Sequence, residues 1–189
     1  MVSMKITTEQ IITDSDPRIR QKSEPVQLPL NDEDRGLLEG LLEYVRNSQD
    51  DEIAEAENLK PAVGIAAIQV GVPKKLIAVV VPDPEDEESN LEFALANPKI
   101  ISESVQNSYL EHGEGCLSVP ENHEGHAFRH ARIKVRGYDL LQDANVVISA
   151  EGFLAICLQH EIDHLSGILY YDRIDKNDPM KEDPEAEVY

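Results

Sequence analysis

Basic residues and cysteines are scarce in this chain of 189 residues, and tryptophan is absent. The 17 Lys and Arg face 37 Asp and Glu, and the formal net charge of −20 repels nucleic-acid backbones and anionic lipid surfaces. Two cysteines are too few for a disulfide framework, so each is interpreted as a functional thiol or a small apolar residue. No apolar run approaches the roughly 18 residues of a membrane span, and the N-terminal MVSMKITTEQ lacks the layout of a signal peptide. We therefore expect a cytoplasmic protein that binds neither nucleic acid nor membrane directly.

The chain has no internal repeat and no linker long enough to separate two domains. Its length allows a core that needs no disulfide or structural metal. We expect residues 1–189 to form one domain with an acidic C-terminal tail over about residues 176–189. Acidic segments such as QDDEIAEAE are interpreted as solvated faces or loops.

Hydrophobic periodicity predicts an α+β domain whose antiparallel or mixed β-sheets pack around a helix in the C-terminal half. Residues 34–47 carry leucines and a valine on one stripe, which predicts an amphipathic helix. The run LIAVVV at 76–81 predicts a buried strand, and the acidic DPEDEESN that follows predicts a surface turn. Residues 151–166 predict a strongly apolar helix capped by Gly167. Further strands are predicted at 93–100, 131–139 and 145–150.

The predicted C-terminal helix contains the segment LQHEIDHLSG. Residues four apart lie on one helical face, so His160 and His164 can direct their rings at one metal ion. Glu161 is rotated by about 100° from His160, which puts its carboxylate beside the metal, where it can deprotonate a bound water. The alternative is a pair of surface histidines. The apolar residues around them argue against it, because unpaired imidazoles in a core are costly.

A third metal ligand must come from another segment. Cys157 lies seven residues from His164, a helical rise of about 10.5 Å, whereas atoms that share one metal ion lie within roughly 4 Å. Cys116, in the glycine-rich GEGCLSVP, is the stronger candidate, and the alternative is a buried unreactive thiol in a turn. One Cys and two His would leave a coordination position open for water, as in catalytic sites.

The segment AVGIAAIQVG surrounds one amide side chain, Gln69, with small residues. By itself it indicates only a close-packed strand or turn beside a helix.

Three segments in this order resemble the signature motifs of peptide deformylase: G-x-A-A-x-Q at residues 64–69, E-G-C-L-S at 114–118 and Q-H-E-x-D-H at 159–164. The similarity extends from the early DPRIRQKSEPV to YYDRIDK, so it covers nearly the whole chain as a single catalytic domain. The chain length and the extra residues around DPEDEESN resemble the longer, Gram-positive form of the family, type 2.

The resemblance implies hydrolysis of the N-formyl group from the formylmethionine of nascent bacterial polypeptides, with release of formate. Cys116, His160 and His164 would bind the metal, and Glu161 would take a proton from its water as hydroxide attacks the formyl carbon. By the family pattern, the Gln69 amide and the Leu117 backbone N–H would stabilise the oxyanion. The resemblance favours Fe²⁺, with Zn²⁺, Ni²⁺ or Co²⁺ as replacements, and we expect a monomer that acts on N-formylmethionyl peptides.

The same resemblance assigns the residues that contact the substrate. Gly64 would let the peptide backbone approach like an added strand. An apolar slot would receive the methionine side chain, with Glu114 and Gly115 nearby; it is lined by Val63, Phe153, Ile156 and Cys157. Because an unpaired buried carboxylate is expensive, we predict that Arg129 pairs with Glu114.

The chain departs from the family pattern in three places. Ala62 and Ile65 replace residues that are commonly Gly and Leu, which adds bulk at the substrate-facing turn. His123 stands where shorter relatives carry a substrate-contacting Arg. The acidic C-terminal end differs from the basic helix by which some relatives dock on the ribosome, so ribosome binding is not expected here.

Two other functions are compatible with the metal-binding pattern. An H-E-x-x-H zinc peptidase would cleave internal peptide bonds, but such enzymes usually take a later carboxylate or histidine as third ligand. A non-catalytic metal-binding relative would not require Gln69, Glu161 and an open coordination position.

Overall fold

The computed structural model describes residues 3–189, with the side chain of Glu87 left out. The helices are α1 (Asp32–Ser48), α2 (Asp51–Glu57) and α3 (Gly152–His164). The strands are β1 (Gly64–Ala66), β2 (Leu76–Asp83), β3 (Asp86–Glu103), β4 (Asn107–Tyr109), β5 (Arg129–His130), β6 (Arg132–Asp139), β7 (Ala144–Glu151) and β8 (Glu187–Val188). Short 3₁₀ helices lie at Thr8–Gln10, Pro17–Arg20, Ala67–Val70 and Tyr170–Arg173.

The strands form two sheets. A five-stranded sheet has the order β1-β2-β3-β6-β7, with every neighbouring pair antiparallel. A three-stranded sheet has the order β5-β4-β8, in which β4 and β5 are antiparallel but β4 and β8 are parallel. The predicted α+β class with antiparallel and mixed sheets is therefore confirmed.

Strand β2 of the larger sheet is buried on both of its faces. Leu76, Ala78 and Val80 belong to the apolar cluster that includes α1. The alternate residues Ile77, Val79 and Val81 belong to the cluster that includes α3. Side chains of a strand alternate between its two faces, so a strand between two helical layers must be apolar throughout. This explains the unbroken run LIAVVV.

Helix α1 begins slightly before its predicted start. The Asn31 side chain accepts a hydrogen bond from the Asp34 backbone N–H at 2.7 Å and caps the helix, and acidic residues fill the first turn. The predicted stripe is buried against β2 and β3 and consists of Leu37, Leu38, Leu41, Leu42 and Val45.

Helix α3 is shorter than predicted, because it ends at His164 rather than at residue 166. Gly167 follows in the left-handed conformation with φ of 72°. Its N–H donates to the carbonyl of His164, and the N–H of Ile168 donates to that of Asp163, a Schellman motif that satisfies the last carbonyls of the helix.

The acidic segment 83–90 was predicted as a surface turn, and this is wrong for most of it. Only Pro84 and Glu85 form the turn, and β3 begins at Asp86. The pairs Pro82↔Asn90 and Val81↔Leu91 continue the β2–β3 ladder into the acidic residues. Strand pairing overrides the low strand propensity of this composition.

The sequence pattern did not predict α2, β4, β5 or β8, whereas β1 lies in the segment interpreted as a close-packed strand or turn. Strand β8 lies inside the segment expected only as an acidic tail. Within residues 3–189, none of the helices combines the length and apolarity needed to cross a membrane.

Replacement of Gly167 by Ala should destabilise the fold by about 2 kcal/mol or more. The position has a positive φ, and a Cβ there would lie 2.2 Å from the carbonyl oxygen of Arg20. Urea unfolding of Gly167→Ala and of the exposed neighbouring variant Ser166→Ala measures the effect. Equal midpoints for the two variants would contradict the expectation.

Candidate metal centre and active site

Three potential metal ligands meet although they come from distant parts of the chain. Cys116 lies in the loop before β5, whereas His160 and His164 lie one turn apart on α3. One ligand atom from each lies within 4.8 Å of the others, and Cys116 Sγ is 3.4 Å from His164 Nε2. A sulfur and two imidazole nitrogens at this spacing can bind one divalent transition-metal ion after small adjustments.

Glu114 orients the first histidine. The Nδ1–H of His160 donates to Glu114 Oε1 at 2.8 Å, which leaves Nε2 as the free nitrogen of that ring. A carboxylate behind a ligating imidazole fixes its tautomer and makes it more basic. Burial opposes protonation of His160, but hydrogen bonds with Cys116 and Glu114 outweigh it and raise its pKa well above the ordinary value, so a metal ion that binds Nε2 would displace a proton from it.

Arg129 holds this carboxylate, so the predicted pairing is confirmed. Its Nε and Nη2 donate to the two oxygens of Glu114, each at 2.9 Å, and its Nη1 donates to Asp163 at 2.6 Å. Burial alone would raise the pKa of Glu114, yet the charge of Arg129 and the hydrogen bond from His160 hold it at about 2. Glu114 is therefore ionised throughout the neutral range.

Asp163 is a functional residue that the sequence did not reveal. It accepts from Arg129 and also from the exposed Arg173 at 2.8 Å. A buried guanidinium has five N–H donors, so one carboxylate cannot satisfy it. That requirement is the signal that could have pointed to a second acidic partner in the H-E-I-D-H segment.

Glu161 is buried beside the metal ligands. Its Oε2 has no hydrogen-bond partner within residues 3–189, and burial raises the pKa of its carboxyl to about 7. A group with a pKa near 7 is suited to accept and return a proton at neutral pH. Gly64 contacts this side chain so closely that a Cβ there would lie 2.7 Å from Glu161 Oε1.

The amide N–H₂ of Gln69 is held toward the group of potential metal ligands. The backbone N–H of Ala66 donates to Gln69 Oε1 at 2.9 Å, which fixes the oxygen on the far side. Its Nε2 donates to Ser118 Oγ at 3.1 Å and lies 3.6 Å from Cys116 Sγ. An amide fixed at both ends can donate to an oxygen near the metal without reorganising.

A cavity of about 550 Å³ opens onto these residues. Its walls include Gln69, Leu117, Cys116, His160 and Glu161, and every residue predicted to contact substrate, namely Val63, Gly64, Glu114, Gly115, Phe153, Ile156 and Cys157. His164 is not in the wall and is 1% exposed, so it lies beneath the cavity floor. Lys60, Pro61 and Leu110 also line the cavity, although no motif or residue pattern pointed to them.

Two further positions that the sequence singled out, Cys157 and His123, lie outside the group of potential metal ligands. Cys157 is buried, and burial raises the pKa of its thiol well above the ordinary value, which suits an apolar wall residue rather than a ligand. His123 is not among the cavity residues; its ring stacks on Tyr171 at 4.1 Å.

The residues present fit a catalytic metal ion. His164 is fully buried, and burial lowers its pKa well below the ordinary value, so the ring is neutral and able to ligate. The orphaned carboxylate oxygen of Glu161 lies beside the ligand group, in the cavity wall. Fold and site together define a metal-dependent hydrolase of the H-E-x-x-H type.

The chain belongs to the polypeptide deformylase family, whose model matches residues 8–180. The resemblance stated from the three motifs is thereby confirmed. A relative from Bacillus subtilis (strain 168), called peptide deformylase 2, is 48% identical over 182 residues, which cover 96% of this chain and 97% of that protein. Peptide deformylase 2 of Geobacillus stearothermophilus is 47% identical, and its alignment covers 93% of this chain and 94% of that protein.

Solved structures agree with this family. Peptide deformylase from Ehrlichia chaffeensis in complex with actinonin has a TM-score of 0.69 and 31% identity, covering 95% of this chain and 92% of that one. Peptide deformylase from Acinetobacter baumannii with bound Met-Ala-Ser has a TM-score of 0.66 and 29% identity, and the match covers 92% of this chain and 99% of that one. The two alternative functions, a zinc peptidase that cleaves internal peptide bonds and a non-catalytic metal-binding relative, are therefore not favoured.

Replacement of Arg129 by Met should cost about 3 kcal/mol or more, because it leaves Glu114 as a buried carboxylate without its cation and removes one of the two partners of Asp163. Loss of metal should accompany the change, since Glu114 then no longer holds His160 in place. Urea unfolding and metal content measure both effects.

The matched control is Arg173→Met, which removes an exposed cation from the same Asp163. It should cost about 1 kcal/mol or less. Equal effects of the two substitutions would show that the buried network is not what holds the site.

Proposed function

We propose that this chain hydrolyses the N-formyl group of formylmethionyl peptides and releases formate and a free amino terminus. The observation that carries the proposal is the position of Glu161, buried beside a Cys-His-His group at the base of the cavity, in a member of the polypeptide deformylase family. Each residue of the reaction can be given a role from its contacts.

Cys116, His160 and His164 would hold one divalent metal ion. When bound, such an ion supplies a Lewis acid that lowers the pKa of water and polarises the formyl carbonyl. The arrangement of Glu114 and Arg129 behind His160 keeps the ligand ring in one orientation, so the site is formed before substrate enters.

Glu161 serves as general base and then as general acid. Its carboxylate takes a proton from the attacking water and returns it to the nitrogen that leaves as the new amino terminus. The pKa of about 7 supports both steps, because neither protonation state is strongly disfavoured at neutral pH. The missing side chain at Gly64 gives the carboxylate the room it needs.

Gln69 and Leu117 stabilise the oxyanion that forms on the formyl carbon. The amide of Gln69 is fixed by Ala66 and Ser118, and the backbone N–H of Leu117 belongs to the residue after Cys116. Loss of one such donor typically costs about 3 kcal/mol of transition-state stabilisation.

The peptide enters along Val63 and Gly64, and Glu114 and Gly115 also line the cavity. The methionine side chain occupies the apolar wall formed by Phe153, Ile156 and Cys157. Nascent formylated chains are the proposed partners, and the protein acts as a cytoplasmic monomer. The net charge of −20 supports the absence of direct nucleic-acid binding.

The proposed resident ion is Fe²⁺, with Zn²⁺, Ni²⁺ and Co²⁺ as replacements, since one thiolate and two imidazoles suit all four. Protein purified without oxygen should contain about one iron per Cys-His-His group, measured by elemental analysis. Substitution of Cys116 by Ser should lower the iron content, and zinc in place of iron in the anaerobic protein would contradict this choice.

Replacement of Glu161 by Gln should reduce kcat at least about 100-fold, because the amide cannot carry the proton. Metal content should stay unchanged, since Glu161 is not among the ligands. The assay follows formate and free amine from formyl-Met-Ala-Ser with iron- or nickel-loaded protein, and an acetylated peptide serves as the blocked substrate.

Glu55→Gln, on the exposed side of α2, is the matched carboxylate control and should retain full activity. Absence of formate with the metal-loaded parent protein would refute the proposed function. Full activity of the Glu161 variant would refute only the role of that residue.

A further inference from the structure

The last residues of the chain lie against the rim of the cavity. Strand β8 pairs in parallel with β4, and Val188 lies opposite Tyr109. The N–H of Tyr189 donates to the carbonyl of Tyr109 at 3.1 Å, and the N–H of Glu111 donates to the carbonyl of Tyr189 at 2.8 Å. Leu110, which lines the cavity, is therefore bracketed by two backbone hydrogen bonds to one residue.

The ring of Tyr189 reaches a second part of the rim. A Cβ built at Gly152 would lie 3.5 to 3.6 Å from three atoms at the end of this ring, so the ring lies over the face of the glycine, at the distance where it would contact a side chain there. Gly152 is the first residue of α3, and the next residue, Phe153, lines the cavity. Phe153 is itself 36% exposed, so packing on its inner side alone does not fix it.

Polar contacts hold the tyrosine in this place. Its hydroxyl donates to Glu187 Oε2 at 2.7 Å, and Glu187 Oε1 accepts from Arg132 at 2.9 Å. Upstream, the side chain of Gln106 donates to the carbonyl of Glu185 at 2.8 Å. The segment is thus tied to β6 and to the approach to β4, and the ring rests on a fixed support.

We propose that Tyr189 is a positioning residue for substrate selection: its backbone hydrogen bonds on either side of Leu110 anchor it, and its ring over the start of α3 keeps Phe153 at the place that fits a methionine side chain. The inference rests on the proposed function, because it takes Phe153 as part of the methionine slot. Tyr189 does not touch the metal ligands or Glu161, so it acts on binding rather than on the chemical step.

The test compares Tyr189→Ala with Tyr189→Phe in metal-loaded protein. Kinetics are measured with formyl-Met-Ala-Ser and with formyl-Ala-Ala-Ser, whose first side chain is too short to fill the slot. In the Ala variant, KM for the methionine peptide should rise about fivefold with kcat unchanged, the scale expected from the loss of one partly exposed aromatic contact. KM for the alanine peptide should change little, so discrimination between the peptides falls.

The Phe variant keeps the ring and the backbone hydrogen bonds of residue 189 and loses only the hydroxyl bond to Glu187, so its KM should stay close to the parent value. Metal content and the unfolding midpoint are measured for both variants, and they should stay near the parent values because Tyr189 is 47% exposed. Equal changes of KM for the two peptides, or a change of kcat alone, would overturn the proposal. A parent protein that releases no formate would instead refute the proposed function.

Discussion

The buried guanidinium of Arg129 connects the two parts of the chain on which the site depends. It binds Glu114, two residues before the proposed ligand Cys116, and Asp163, next to the proposed ligand His164 on α3. Glu114 in turn accepts from His160, so one cation fixes the loop and the helix relative to each other. Arg129 and Glu114 are buried charges with a large desolvation energy, which is offset only because both are paired and hydrogen-bonded. Removing one of the paired groups therefore leaves the desolvation energy of the other uncompensated.

Features that depend on local periodicity could be predicted from the sequence. The apolar stripe of α1, the run at 76–81 and the helix that carries His160 each follow from spacing along the chain. The two histidines and Glu161 belong to this class, because the helical period alone sets their relative directions. Cys116 needed more: its ligand role followed from excluding Cys157 by helical rise and from the family motifs.

Features that depend on contacts distant in sequence were missed or misjudged. Asp86 to Asn90 are strand because β2 supplies their hydrogen-bond partners, which the acidic composition does not reveal. Asp163 pairs with Arg129 over 34 positions, and β8 pairs with β4 over about eighty. Helix α2 is short and polar, and its cap residues, Asp50 and the left-handed Asn58, are its only local indicators.

The contact between Gly64 and Glu161 has a consequence for inhibitor resistance. Any replacement residue would bring a Cβ to within 2.7 Å of the Glu161 carboxylate and displace the proposed base. A compound that hydrogen-bonds to the Gly64 backbone would therefore bind at a position where a substitution that weakens inhibitor binding also impairs catalysis. The cavity residues Lys60, Pro61 and Leu110 are not among the proposed catalytic residues, so an inhibitor anchored there would leave the target freer to change.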